Sequence, residues 1–230
     1  ITAGLFTPRI GIINENHLPT TFNGNDRPFV ETLIIPATWR EIGIGVYGSV
    51  RSVPGLNYSA AIVNGLNSAG FENGSGIRGG RFEGRDANAS ALALTGALLY
   101  YIKDFRIQVS GYYGGSVGLT KVEADSLQLE YGTLGTPVGV YEGNVQYNHK
   151  GLSVKALVAT VQIPDAKNIN RAYANNTPEA IMGYYGEVGY NLLRLFKIEE
   201  KNLTAFVRYE NLDMNYKLPS NGLVNGIHDQ

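Results

Sequence analysis

The sequence of 230 residues has no cysteine, one tryptophan, two methionines and three histidines. Without cysteine there is neither a disulfide framework nor a thiolate metal site, although this alone does not fix a cellular compartment. No run of about 18 apolar residues occurs, which excludes a transmembrane helix, and no basic-then-apolar leader precedes the first patterned segment. Charge of one sign is lacking too. Nineteen Lys and Arg stand against 20 Asp and Glu, a formal net charge of −1, so composition gives no reason to expect a nucleic-acid partner.

The motifs of catalysis are equally scarce. There is no Gly-x-Ser-x-Gly elbow, and the glycine run Gly76-Ile77-Arg78-Gly79-Gly80 lacks the Lys-Ser/Thr and the helix of a phosphate-binding loop. His17, His149 and His228 are far apart, which argues against a three-histidine metal centre. The expectation is a protein with no catalytic, cofactor-binding or metal residues.

What is present is glycine, tyrosine and a two-residue period. Twenty-nine glycines and fifteen tyrosines suit twisted antiparallel strands better than packed helices. The stretch Trp39 to Leu66 sets the pattern. Ile42, Ile44 and Val46 share one parity and Glu41, Gly43, Gly45, Tyr47 and Ser49 the other. Arg51 to Gly55 form a turn, and a second run opposes Leu56, Tyr58, Ala60 and Ile62 to Asn57, Ser59, Ala61 and Val63. Each run has the length that crosses a bilayer when tilted. The same alternation recurs over Leu5 to Ile13, Ala89 to Ile102, Arg106 to Val117, Val138 to Asn148, Leu152 to Ile163, Gly183 to Leu192 and Leu203 to Leu212. Pro8 removes a ladder donor from the first of these.

Connections between the runs alternate long and short, as in barrels with short turns at one end and long loops at the other. Tyr58, Tyr100, Tyr147 and Tyr190 fall beside the short turns, and Tyr113, Tyr141, Tyr184 and Tyr209 toward the long loops, the placement of two aromatic girdles. Ionisable residues inside the runs keep to the polar parity, where they avoid the cost of roughly 2 to 4 kcal/mol that Arg or Lys meets at a lipid midplane. The fold class expected is therefore all-β, a transmembrane antiparallel up-and-down β-barrel in the bacterial outer membrane. Nine runs is an odd count for a closed barrel, Ile1-Thr2-Ala3-Gly4 enters strand pattern directly, and Asn221 to Gln230 reads as a loop. Residues 1–230 are thus expected to be one barrel domain, incomplete at both ends.

Expected pore-lining residues are Arg9, Glu41, Arg106, Gln108, Glu142, Gln146, Lys155, Glu187, Arg208 and Glu210, whose opposite charges on facing walls create a transverse field; wall-stabilising pairing is the alternative. The long connection Asn14 to Thr38 contains Leu33-Ile34-Ile35, an apolar segment expected to fold inward as a constriction or to dock a partner subunit. Arg78, Arg81 and Arg85 form a basic cluster on the next loop, suited to anions or lipopolysaccharide or simply solvated. Asp125-Ser126-Leu127 is similar to an O-glycosylation acceptor.

The opening run GLFTPRIGI (4–12), the Trp39-Arg40-Glu41 strand entry, the Asn64-Gly65-Leu66 strand end and the late run FVRYENLD (206–213) together resemble the porins of Bacteroidota outer membranes, distantly similar to the phosphate-selective porin family. The resemblance implies a barrel of about sixteen to eighteen strands, of which this chain is a central portion, and passive diffusion of small polar solutes through a water-filled lumen. It implies lipid and lipopolysaccharide as surroundings and a homotrimer or larger envelope complex as an assembly. Phosphate selectivity is not carried over, because the expected wall charges include no basic ladder. Two other readings stay open: an accessory barrel docked onto a secretion or uptake complex, and a soluble glycan-binding β-sandwich.

Overall fold

The computed structural model describes residues 1–198 and 200–220. Among these, nine strands form one sheet in which each pairs antiparallel with the next: β1 Thr2–Phe6, β2 Glu41–Ser49, β3 Leu56–Asn64, β4 Leu92–Ile102, β5 Phe105–Gly114, β6 Val138–His149, β7 Leu152–Gln162, β8 Ala180–Asn191 and β9 Thr204–Lys217. The order is strictly sequential and up-and-down. β1 and β9 are its two edges, so the described sheet is open. The expected segment 221–230 and His228 lie outside the described residues.

The alternation in the sequence decides which side of the sheet each residue occupies. Ile44, Leu94, Leu98, Val109, Val188 and Val207 stand on one face and are 50 to 76% exposed, and among the described residues no second sheet covers them. The opposite face carries the polar parity, and there the long connections pack. A folded chain normally hides its aliphatic parity; this one hides the other. Ile10, Ile13, Ile34, Ile35, Trp39, Phe71 and Ile77, all from connections, bury fully against Tyr112, Val140, Val161, Ile181 and Tyr185 of the sheet. Each such aliphatic contributes about 1.5–3 kcal/mol by leaving water.

The short turns lie at the other end. Between β6 and β7 the turn is Lys150-Gly151, both with positive φ (46° and 86°), the mirror-image turn whose twist matches paired strands. Its neighbour between β4 and β5 is tied to it, since the Asn148 N–H donates to Asp104 O at 3.0 Å and His149 Nδ1 lies 2.9 Å from Asp104 Oδ2.

The structure departs from the sequence reading in three places. The first strand ends at Phe6 instead of continuing to Ile13: Pro8 offers no N–H to the ladder, and Gly11, at φ +79°, turns the chain over the sheet. A Cβ on Gly11 would sit 2.6 Å from Glu31 Oε2, so the turn needs glycine on both grounds. The last strand runs on to Lys217, past the expected Leu212, and β8 begins earlier, with a register shift between Ala180 and Met182. The long connections are also not plain loops. The first carries a π-helical turn, Val30–Ile34; the third a short helix, α1 (Lys121–Ser126), closed by a Thr120/Glu123 capping box; and the fourth α2 (Ala166–Tyr173). No helix among the described residues is long and apolar enough to cross a membrane, which says nothing of crossing by strands.

Candidate functional site on the inner face

The first connection, residues 7–40, crosses the inner face and is held there at both ends and in the middle. At the start, Asn14 Nδ2 donates to Pro8 O at 2.7 Å, and Asn14 Oδ1 accepts the Trp39 N–H at 2.8 Å. This joins the two ends of the excursion. Trp39 Nε1 in turn donates to Glu41 Oε1 at 3.0 Å, and its ring lies 4.6 Å from that of Tyr112. In the middle, the Glu31 side chain is fully buried. Its Oε2 accepts the N–H groups of Ile12 and Ile13 at 2.7 and 2.6 Å, and Oε1 accepts the Tyr185 hydroxyl at 2.6 Å. Burial pushes the Glu31 carboxyl up to about 7; the donors from Tyr185, Ile13 and Ile12 oppose that rise, and the Glu142 charge adds to it. Gly183 on β8 admits the turn, since a Cβ there would meet Ile34 Cδ1 at 2.5 Å.

Toward β9 the connection rests on a charged row. Glu187, 2% exposed, lies between Arg208 (Nη2–Oε2 2.7 Å, Nε–Oε2 2.8 Å) and Lys155 (Nζ–Oε1 3.4 Å). Asn23 Nδ2 donates to Glu187 Oε1 at 2.9 Å, and Arg208 Nη2 donates back to Asn23 O at 2.7 Å. Glu210 continues the row, 3.7 Å from Arg208, and accepts the Val30 N–H at 3.3 Å. Desolvating a carboxylate this deeply is tolerable only because two cations and an amide face it.

The ten expected wall residues all lie on the inner side, in four settings. Lys155, Glu187, Arg208 and Glu210 form the row just described. Gln108 and Glu142 form a second cluster: Gln108 Nε2 donates to Glu142 Oε2 and to Gly11 O, both at 3.2 Å. Arg106 extends it through Nη2 to Gln108 Oε1 at 2.9 Å, and Gln146 through Asn144 at 3.4 Å. Glu41 is fully buried beside Trp39. Arg9, in the connection, pairs with Glu15 at 2.8 Å. Several of these groups therefore hold the first connection in place.

Ile34 and Ile35 are fully buried and Leu33 half-buried, in a turn that packs on β7, β8 and β9. A partner subunit cannot reach Ile34 or Ile35 without unseating them. The three arginines do not act as one cluster. Arg78 donates to the carbonyls of Thr32 and Ala37, and Arg81 to that of Pro36, so both fasten the second long connection to the first. Arg81 also lies 3.0 Å from Glu83, while Arg85 is exposed beside Asp86. Asp125-Ser126 ends helix α1.

Sequence reasoning missed Glu31, Tyr185, Asn14, Asn23 and Glu15. Only Glu31 left a signal, a lone acid inside the apolar run Phe29 to Ile35.

Fold and site together define an all-β protein of one up-and-down sheet, with an exposed aliphatic face and an inner face crossed by its own first connection. No family model matches the chain. It is 30% identical over 231 residues to an uncharacterized protein of Aquifex aeolicus, an alignment covering 96% of this chain and 50% of that protein. The chain thus spans about half the length of this relative.

Proposed function

We propose that the chain is part of an outer-membrane β-barrel porin, through which small polar solutes diffuse passively, with the first connection narrowing the lumen. The observation that carries this is the inverted burial of the sheet. A row of aliphatic and tyrosine side chains stays exposed along β2 to β9, while the charged parity is enclosed. Exposed apolar area on this scale is costly in water, and hydrocarbon removes the cost. Nine strands in a chain spanning half of its relative fit a complete barrel of about sixteen to eighteen strands. The resemblance to Bacteroidota porins points the same way, and supports surroundings of lipid and lipopolysaccharide.

The test is swelling of liposomes carrying the full-length protein, in sugars, amino acids and phosphate of graded size. Uptake that falls with solute size supports a diffusion channel; equal exclusion of every solute removes it. That second outcome favours an accessory barrel docked on a larger envelope complex, a reading supported by the way the first connection seals the inner face over β5 to β9.

A further inference from the structure

The first connection covers one side of the inner face and leaves the other open. Its π-helical turn packs on β7, β8 and β9, and beneath the connection Gln108, Tyr112, Glu142, Tyr185 and Glu187 keep at most 6% exposure. Over β2 to β4 the inner row is instead small: Gly45, Ser59, Ala61, Thr95 and Ala97. Such side chains cannot fill the space above them. A cavity of about 340 Å³ lies there, bounded by Phe6, Arg9, Glu15, Tyr47, Ser59 and Thr95. A second, of about 260 Å³, extends toward the short turns and is bounded by Arg9, Tyr47, Asn57, Leu99 and Tyr101. Arg9 and Tyr47 border both, so the two meet at this pair.

The chemistry of this passage differs from that of the charged row. Tyr47 and Tyr101 stand on the inner parity yet are 53% and 49% exposed, offering ring faces and hydroxyls to whatever occupies the space. Among the described residues bounding the passage the one cation, Arg9, is neutralised by Glu15 at 2.8 Å. A charged solute entering here sheds water without meeting a free counter-charge. A sugar ring lays its C–H face on a tyrosine ring and exchanges hydrogen bonds with tyrosine hydroxyls, Asn57 and Arg9. We infer that solutes pass over β2 to β4 through these joined cavities, and that Arg9, Tyr47 and Tyr101 form a contact site for uncharged, polyhydroxylated solutes. This inference rests on the diffusion-channel reading and adds to it a route and a solute class.

The absence of cysteine from the chain makes the test direct. Ser59→Cys, Ala61→Cys and Thr95→Cys variants of the full-length protein, which line the first cavity and leave Arg9, Tyr47 and Tyr101 in place, are exposed in vesicles to an uncharged, water-soluble thiol reagent, and modification is read by mass. Ala159→Cys, on the inner face of β7 at 1% exposure, serves as the shielded control. The three passage thiols are expected to react, the control to react at least about a hundredfold more slowly, and excess maltose to slow the passage thiols about tenfold. Inorganic phosphate is expected to leave them unchanged. Unreactive passage thiols, or protection by phosphate and not by maltose, overturn the inference. The readout needs no ion current. Protection by maltose without conductance would therefore remove the channel and keep the sugar site; conductance with unprotected thiols would do the reverse.

Discussion

Replacing Glu31 separates what the carboxylate holds from what its charge costs. In Glu31→Ala, two backbone N–H groups and the Tyr185 hydroxyl lose their acceptor in a site from which the side chain had excluded water. Each orphaned donor costs roughly 1–3 kcal/mol, so the loss of three acceptors should weaken the attachment of the first connection by roughly 3–9 kcal/mol. Glu31→Gln keeps the shape: its Oε1 accepts both N–H groups and its Nε2 donates to the Tyr185 oxygen. The pH dependence then distinguishes this variant from the native protein. The native carboxyl titrates near 7, against an ordinary value of 4.5, so between those values the folded protein holds a proton that the detached connection has released. Stability is therefore greatest below pH 4.5 and falls as pH rises through 7, by roughly 3 kcal/mol, or about two decades in a protection factor. Hydrogen exchange of the Ile12 and Ile13 amides, expressed as protection factors at pH 5 and pH 8, reads both effects. The native protein should lose protection at pH 8, Glu31→Gln should not, and Glu31→Ala should be unprotected at both. A Gln variant with the native pH dependence would refute the reasoning.

Three further outcomes follow from the same geometry. Gly11→Ala should loosen the first connection by roughly 1–3 kcal/mol, because of the positive φ and the 2.6 Å approach to Glu31 Oε2, seen as faster proteolysis within residues 7–40. Arg208→Met should lower the thermal midpoint in detergent by the equivalent of roughly 3–5 kcal/mol, since Glu187 keeps Lys155 as its one cation, beside the Asn23 amide, and the double variant Glu187→Gln/Arg208→Met should recover much of the loss. Leu98→Arg, on the exposed parity of β4, should cost roughly 2–4 kcal/mol on folding into lipid vesicles, measured by heat-modifiable gel mobility; Ala97→Ser next to it should cost far less.

The strands were readable because a two-residue period leaves its mark locally. Ile42, Ile44 and Val46 against Glu41, Gly43 and Gly45 need no knowledge of the rest of the chain, and loop length then orders the strands. Strand ends were less legible. Phe6 ends β1 because Pro8 and Gly11 act together, and the alternation of Ile10 and Ile12 imitates a strand that has already left the sheet. The site was half legible. Parity shows that Glu142 and Glu187 share the inner face, but it carries no information about what lies above them. The bond from Tyr185 to Glu31 joins residues 154 apart, and the links from Arg78 and Arg81 to loop carbonyls use acceptors that every residue possesses. Neither leaves a pattern in the sequence.

A porin requires that hydrocarbon, not water, meets the aliphatic parity. Nitroxides placed one at a time at Leu98, Val109 and Val188, and at Ala97 and Leu157 on the opposite parity, report this in lipid vesicles through collision with oxygen and with a water-soluble nickel complex. The first three are expected to meet oxygen and exclude nickel, and the last two to be shielded from lipid-borne oxygen. Nickel reaching Leu98, Val109 and Val188 as freely as an exposed turn residue would contradict the account.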